Sequence, residues 1–161
     1  MTTTYEKIAT TTLGSSSATI TFSSIPATYT DIVLIVAGTV GSLSNVAFQV
    51  NSDTGSNYSN TLMLGSGSAA TSERGSNLIS SPGTVISTGQ SVVKLQFMNY
   101  SNTTTFKTVL NNGGHAGSYV GAGVGLWRST SAINSITVLT YNNNSTYQSG
   151  STFTLYGIKA E

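Results

Sequence analysis

Hydrophobic and polar positions alternate with a period of two along most of the chain. Ala18, Ile20 and Phe22 alternate with Thr19 and Thr21; Val46, Phe48 and Val50 alternate with Ala47 and Gln49. Val93, Leu95 and Phe97 alternate with Val92, Lys94, Gln96 and Met98, and Phe106, Thr108 and Leu110 with Lys107, Val109 and Asn111. This period predicts strands with one face in a core and the other toward solvent or a neighbour. The unbroken apolar run Ile32 to Ala37 predicts a strand covered on both sides. Further strands are predicted over Tyr5–Leu13, Tyr58–Leu64, Asn77–Ser80, Tyr119–Trp127, Ile133–Tyr141 and Thr152–Lys159, giving ten or eleven short strands.

Turn-forming residues separate these segments. Gly14-Ser15-Ser16-Ser17, Asp53-Thr54-Gly55-Ser56-Asn57, Ser81-Pro82-Gly83 and Thr88-Gly89-Gln90 all read as turns. Asn111-Asn112-Gly113-Gly114 gives the strongest such signal, because Asn-Gly tolerates the positive φ of a tight hairpin. It predicts that Thr104–Asn111 pairs with the segment after His115. No long segment has helical period, and at most a short turn is expected at Arg128–Ile133. Many short strands at even spacing predict an all-β, antiparallel sandwich or barrel. No change of composition marks a second domain, so residues 1–161 read as one domain with a short arm at 1–4. Exposed strand edges are usually blunted by charge or proline. Both are scarce here, which leads to the expectation that partner subunits cover part of the edges.

Composition narrows the function. Only 7% of the 161 residues are charged, six Lys or Arg against five Asp or Glu, whereas 26 Ser, 26 Thr and 13 Asn dominate the polar set. A net charge of +1 is no electrostatic footprint for nucleic acid. With no Cys and one His, neither a disulfide framework nor a Cys- or multi-His-based metal site can be built, and no cofactor motif is present. Ser, Thr and Gly are common in disordered linkers, but eight Tyr, five Phe, one Trp and 38% apolar residues supply a core. There is no run of about 18 apolar residues to span a membrane, and Met1–Lys7 does not read as a secretory signal. Synthesis in a cytoplasm is the resulting expectation.

Four segments, in order, carry a resemblance: Lys7 to Tyr29 (KIATTTLGSSSATITFSSIPATY), Asn51 to Tyr58 (NSDTGSNY), Leu126 to Ile136 (LWRSTSAINSI) and Gly150 to Lys159 (GSTFTLYGIK). Together they resemble a β-domain of virion proteins of tailed bacteriophages, cyanophages among them, found in tail and fibre proteins and as stand-alone surface proteins. The resemblance implies a jelly-roll-like sandwich, homotrimeric in many relatives, on the outside of a phage particle, without enzymatic activity. Fibre relatives carry the domain after a shaft or attachment segment, whereas here it starts by about Tyr5. That favours a capsid decoration (cement) protein bound to the lattice of major capsid protein. The alternative is a tail or fibre receptor-binding domain that recognises host surface glycan.

Candidate sites follow from patterning. Gly121, Gly123 and Gly125 alternate with Val120, Ala122, Val124 and Leu126, which puts a bare stripe on one face of a strand. It reads either as a subunit contact, extended by Trp127, or as close packing against the domain's own second sheet. Tyr141, Asn143 and Tyr147 are glycan candidates, because the Asn142-Asn143-Asn144-Ser145 segment reads as an exposed loop. For Trp127, Tyr58 and Tyr100, core or interface is the favoured reading. Asp53 with Gly55 and Asn57 suggests an Asx-type turn, since one carboxylate is too few for a calcium loop. His115 lacks the sequence setting of a catalytic triad and is expected in an exposed position after a turn. Glu6, Lys7, Glu73, Arg74, Lys94, Lys107, Arg128 and Lys159 read as scattered solubilising charge, with Glu73, Arg74 and Arg128 available for intersubunit pairs.

Overall fold

The computed structural model describes residues 4–159. The expected arm at 1–4 therefore lies almost wholly outside the described residues. Twelve strands form two antiparallel sheets. They are β1 (Tyr5–Thr12), β2 (Thr19–Phe22), β3 (Asp31–Gly38), β4 (Ser44–Val50), β5 (Tyr58–Gly65), β6 (Ala70–Leu78), β7 (Ser81–Ile86), β8 (Ser91–Phe97), β9 (Lys107–His115), β10 (Tyr119–Trp127), β11 (Ile136–Thr140) and β12 (Thr152–Ile158). The large sheet runs β1-β12-β3-β8-β9-β10-β5-β6, and the small one β2-β11-β4-β7.

Four consecutive pairs, β1/β2, β3/β4, β7/β8 and β11/β12, each place one strand in either sheet. The order β1-β12-β3-β8 is matched across the core by β2-β11-β4-β7. This paired winding is a jelly-roll-like antiparallel sandwich: the alternation predicts a sandwich or barrel, and the resemblance implies the jelly-roll form. The hairpin β5–β6 and the pair β9–β10 widen the large sheet beyond it.

The core is filled from the inward positions of both sheets. Phe48 lies edge-to-face with Phe97 and Tyr58, and Tyr147 with Phe153. Ile20, Phe22, Leu34, Val36, Val93, Leu95, Val138 and Leu155 pack around them. Aromatic pairs of this geometry add to the free energy of area burial.

Two segments depart from the expectation. Ser81-Pro82-Gly83 is the start of the fully buried strand β7, not a turn. Pro82 is tolerated because β7 is the edge of the small sheet and pairs only with β4, through a register shift between Asn45 and Ala47. Asn111-Asn112-Gly113-Gly114 is likewise strand, not hairpin turn. The reversal falls four residues later, where Ser118 N–H donates to His115 O. The pairing was legible all the same, since β9 and β10 run antiparallel with Asn111 opposite Gly123. Gly113 and Gly114 have φ of 142° and 146°, where a side chain would collide with the backbone of Val92 and Tyr119. Glycine is therefore needed to continue the strand there, not to end it.

Charge also has a pattern that the sequence hid. The edges of the large sheet are β1 and β6, and they hold Glu6 and Lys7, and Glu73 and Arg74. Lys159 pairs with Glu6 at 2.5 Å beside the first edge, and β1 bulges between Lys7 and Ala9. Glu6, Lys7, Glu73 and Arg74 thus lie on edge strands, where charge blunts pairing.

Candidate functional site

The glycine stripe of β10 faces inward. A side chain at Gly121 would strike Thr84 and Leu64, one at Gly123 would strike Leu62, and one at Gly125 would strike Ser81 and Phe48. Gly121, Gly123 and Gly125 are therefore not a subunit contact; they let β7 and β5 side chains approach the β10 backbone. Trp127 is also corrected from interface to core. It is 3% exposed, and its Nε1–H donates to Asp53 Oδ2 at 2.6 Å.

Asp53 organises the β4–β5 loop. Its carboxylate accepts from Gly55 N–H at 2.8 Å and from Asn57 Nδ2 at 2.9 Å, the expected Asx-type turn, as well as from Trp127. Partial burial alone would raise its pKa. The hydrogen bonds from Trp127, Asn57 and Gly55 outweigh that and hold the carboxyl below its ordinary range. Arg128 caps the same loop by donating to Ser56 O at 2.8 Å. Lys107 is buried, and its Nζ donates to Thr105 O and Thr130 O. It staples two loops and is not a solubilising charge.

Tyr147 is removed from the glycan candidates. It is fully buried, donates to Leu139 O at 2.9 Å, and is held between Ser17 and Val40 by β-bridges. Tyr58 is equally buried, and its phenol is pushed up to about 12 by desolvation. Tyr141 is half-exposed and Asn143 exposed, on a three-residue 3-10 turn, Tyr141–Asn143. The adjacent Asn144, with Leu43, Asn45, Glu73 and Tyr119, borders an open groove of about 320 Å³ at one rim of the sandwich. His115 ends β9 before the turn, and its Nδ1 meets Gln90 O at 2.9 Å.

The most prominent surface is the other face of the same strands. Three rows cross β8-β9-β10-β5-β6 in register, and all their residues face outward. They are Val92–Gly114–Val120–Gly65–Ala70, Lys94–Asn112–Ala122–Met63–Ser72 and Gln96–Leu110–Val124–Thr61–Arg74. Val120 is 66% exposed and Met63 65%; Val92, Leu110 and Val124 are each more than 40% exposed. Large apolar side chains scattered singly over a surface are ordinary, but contiguous ones mark a contact. Bare positions at Gly114 and Gly65 flank Val120, leaving a hollow of about 530 Å³ on one side and about 790 Å³ on the other. The valine face of β10 is thus the outward one, opposite the glycines.

No protein-family model matches the chain, and no curated protein sequence matches it. Among solved structures, a double mutant of the alginate lyase Aly36B in complex with an alginate tetrasaccharide has a TM-score of 0.37 and 9% identity, covering 83% of this chain and 71% of that one. A likeness at that level carries no argument about activity.

Proposed function

We propose that this chain is a structural protein of the outer surface of a tailed-bacteriophage particle, a homotrimeric decoration protein that binds the capsid lattice. The observation that carries the reading is the uncovered apolar face around Val120 and Met63, on a sandwich whose large-sheet edges carry their own charge. A surface of this kind works by being covered. The ordered resemblance from Lys7 to Lys159 supplies the setting, and with it the expectation of no enzymatic activity. Bound only to the assembled shell, such a protein would stabilise that shell by mass action. The test is copy number in purified particles, measured by quantitative mass spectrometry against the major capsid protein. Hundreds of copies per particle are expected, and a handful would place the chain at a tail or fibre site instead.

The rim groove supports a second reading, a receptor-binding domain for host glycan. Glu73, Asn45 and Asn144 present a carboxylate and two amides beside Tyr119 and Leu43, a mixture suited to the hydroxyls and apolar faces of a sugar. Glycan-array binding that is lost in Glu73→Ala would favour this reading.

A further inference from the structure

The pleat sorts the charges on the two edge strands of the large sheet. Adjacent residues of a strand point to opposite faces. On β1, Glu6 stands opposite Gly157, on the inner side where Tyr29 packs, and Lys7 stands opposite Tyr156 on the outer side. On β6, Glu73 stands opposite the buried Leu62 and borders the rim groove, whereas Arg74 ends the outward row of Val124 and Thr61. Each edge thus turns its acid toward the small sheet and its base outward. Lys94 adds a third cation to the outer face. Arg128, just past β10, adds a fourth, bordering a hollow of about 270 Å³ with Arg74, Thr61, Val124 and Leu126. Both arginines of the chain therefore line one hollow.

Among the described residues no carboxylate answers these four cations, since the one ion pair joins Lys159 to Glu6. Asp31, the acid on the outer face, is spent on its own chain: it accepts from Asn99 N–H at 2.7 Å and from Gln96 Nε2 at 3.1 Å. Arg128 is anchored through Nη2, which donates to Ser56 O, Tyr58 O and Asn77 Oδ1. That anchorage leaves its Nη1 and Nε, with the exposed Arg74, to a ligand. We infer that this face docks a protein surface in which carboxylates stand beside apolar side chains, and that Arg74 and Arg128 together grip one of those carboxylates. This rests on the reading above that the outer face is covered, and it names the chemistry of what covers it. A guanidinium fork matches the two oxygens of a carboxylate. Burial of the Val120 and Met63 ridge supplies affinity, while the cations select partner and register, because exposed pairs are individually weak. Nucleic acid fits less well. From Lys7 to Arg74 the cations spread over seven strand intervals, about 34 Å, too sparse to track a duplex with one charge per about 1.7 Å.

The test titrates the folded, isotope-labelled chain with acetyl-Val-Glu-Val-amide and with its Gln counterpart, following the Nε–Hε signals of Arg74 and Arg128. Both signals are expected to move with the Glu peptide, with a dissociation constant on the order of 1 mM, and to respond about tenfold more weakly to the Gln peptide. Arg74→Gln is expected to lose most of that preference, and Arg74→Lys to restore part of it. No movement at about 20 mM peptide, equal movement with both peptides, or a preference that survives Arg74→Gln overturns the inference. So does binding to inorganic phosphate or to phosphatidylserine vesicles without binding to the Glu peptide. The proposed function fails separately. Glu-peptide binding by a chain absent from phage heads keeps this site and removes the decoration role; a chain present in hundreds of copies per head whose arginine signals ignore the Glu peptide does the reverse.

Discussion

At the residue scale, Asp53 ties the β4–β5 loop to Trp127 in the core. Asp53→Ala would leave the buried Trp127 Nε1–H without a partner, at a cost of about 1–3 kcal/mol. The expected result is a lower melting temperature and an altered tryptophan emission. The pH dependence follows from the depressed carboxyl. Its folded pKa lies below its unfolded value, so protonation favours the unfolded chain. The contribution is complete at neutral pH. It declines as pH falls below the ordinary carboxylate range and is lost below the folded pKa. Melts between pH 7 and pH 2 should show this acid loss in the wild type and a weaker one in Asp53→Ala. Gly123 tests packing instead. A valine there would drive into Leu62, and an overpacked core costs about 1–3 kcal/mol. Urea unfolding should show Gly123→Val destabilised as a monomer; a variant with unchanged stability that merely fails to oligomerise would return the glycine stripe to an interface.

At the element scale, the edge strands show what scarce charge is for. β6 pairs only with β5 and is exposed along most of its length, with Glu73 and Arg74 at its centre. Without them it becomes a long neutral edge, a template for pairing with another chain. The double variant Glu73→Thr, Arg74→Thr is expected to keep its fold and to aggregate faster, read by light scattering during incubation. Equal solubility would mean that the edge is protected otherwise. Strand existence was legible from alternation for most elements, β2, β4, β8, β9 and β10 among them. β7 was not, because Ser81, Pro82 and Gly83 have turn chemistry, and only their position at the edge of the small sheet makes a strand there tolerable. β6 was hidden for a related reason. Ala70 to Leu78 buries neither face, so it carries no hydrophobic alternation to read.

At the scale of the whole molecule, the surface divides into a hydroxyl-and-amide coat, charged edges and one apolar face. Attachment through that face, as proposed, would depend on apolar burial and would have little charge to screen. Trimer and particle attachment are therefore expected to survive 1 M sodium chloride, as measured by sedimentation and by the protein retained on pelleted particles. Release by salt alone would shift the contact to the charged edges.

The alternation by itself determined that this chain is all-β, a sandwich or a barrel, and the low charge determined that it carries no electrostatic footprint of the kind nucleic acid requires. Both are properties of composition and period, and these act locally along the chain. Which face of β10 is covered, that Tyr147 and Trp127 sit in the core, and that Glu6, Lys7, Glu73 and Arg74 fall on the edges of the large sheet were decided by tertiary structure alone. A period of two says that two faces differ. It cannot say which one meets the second sheet, because that depends on strands up to about a hundred residues away in sequence being brought alongside.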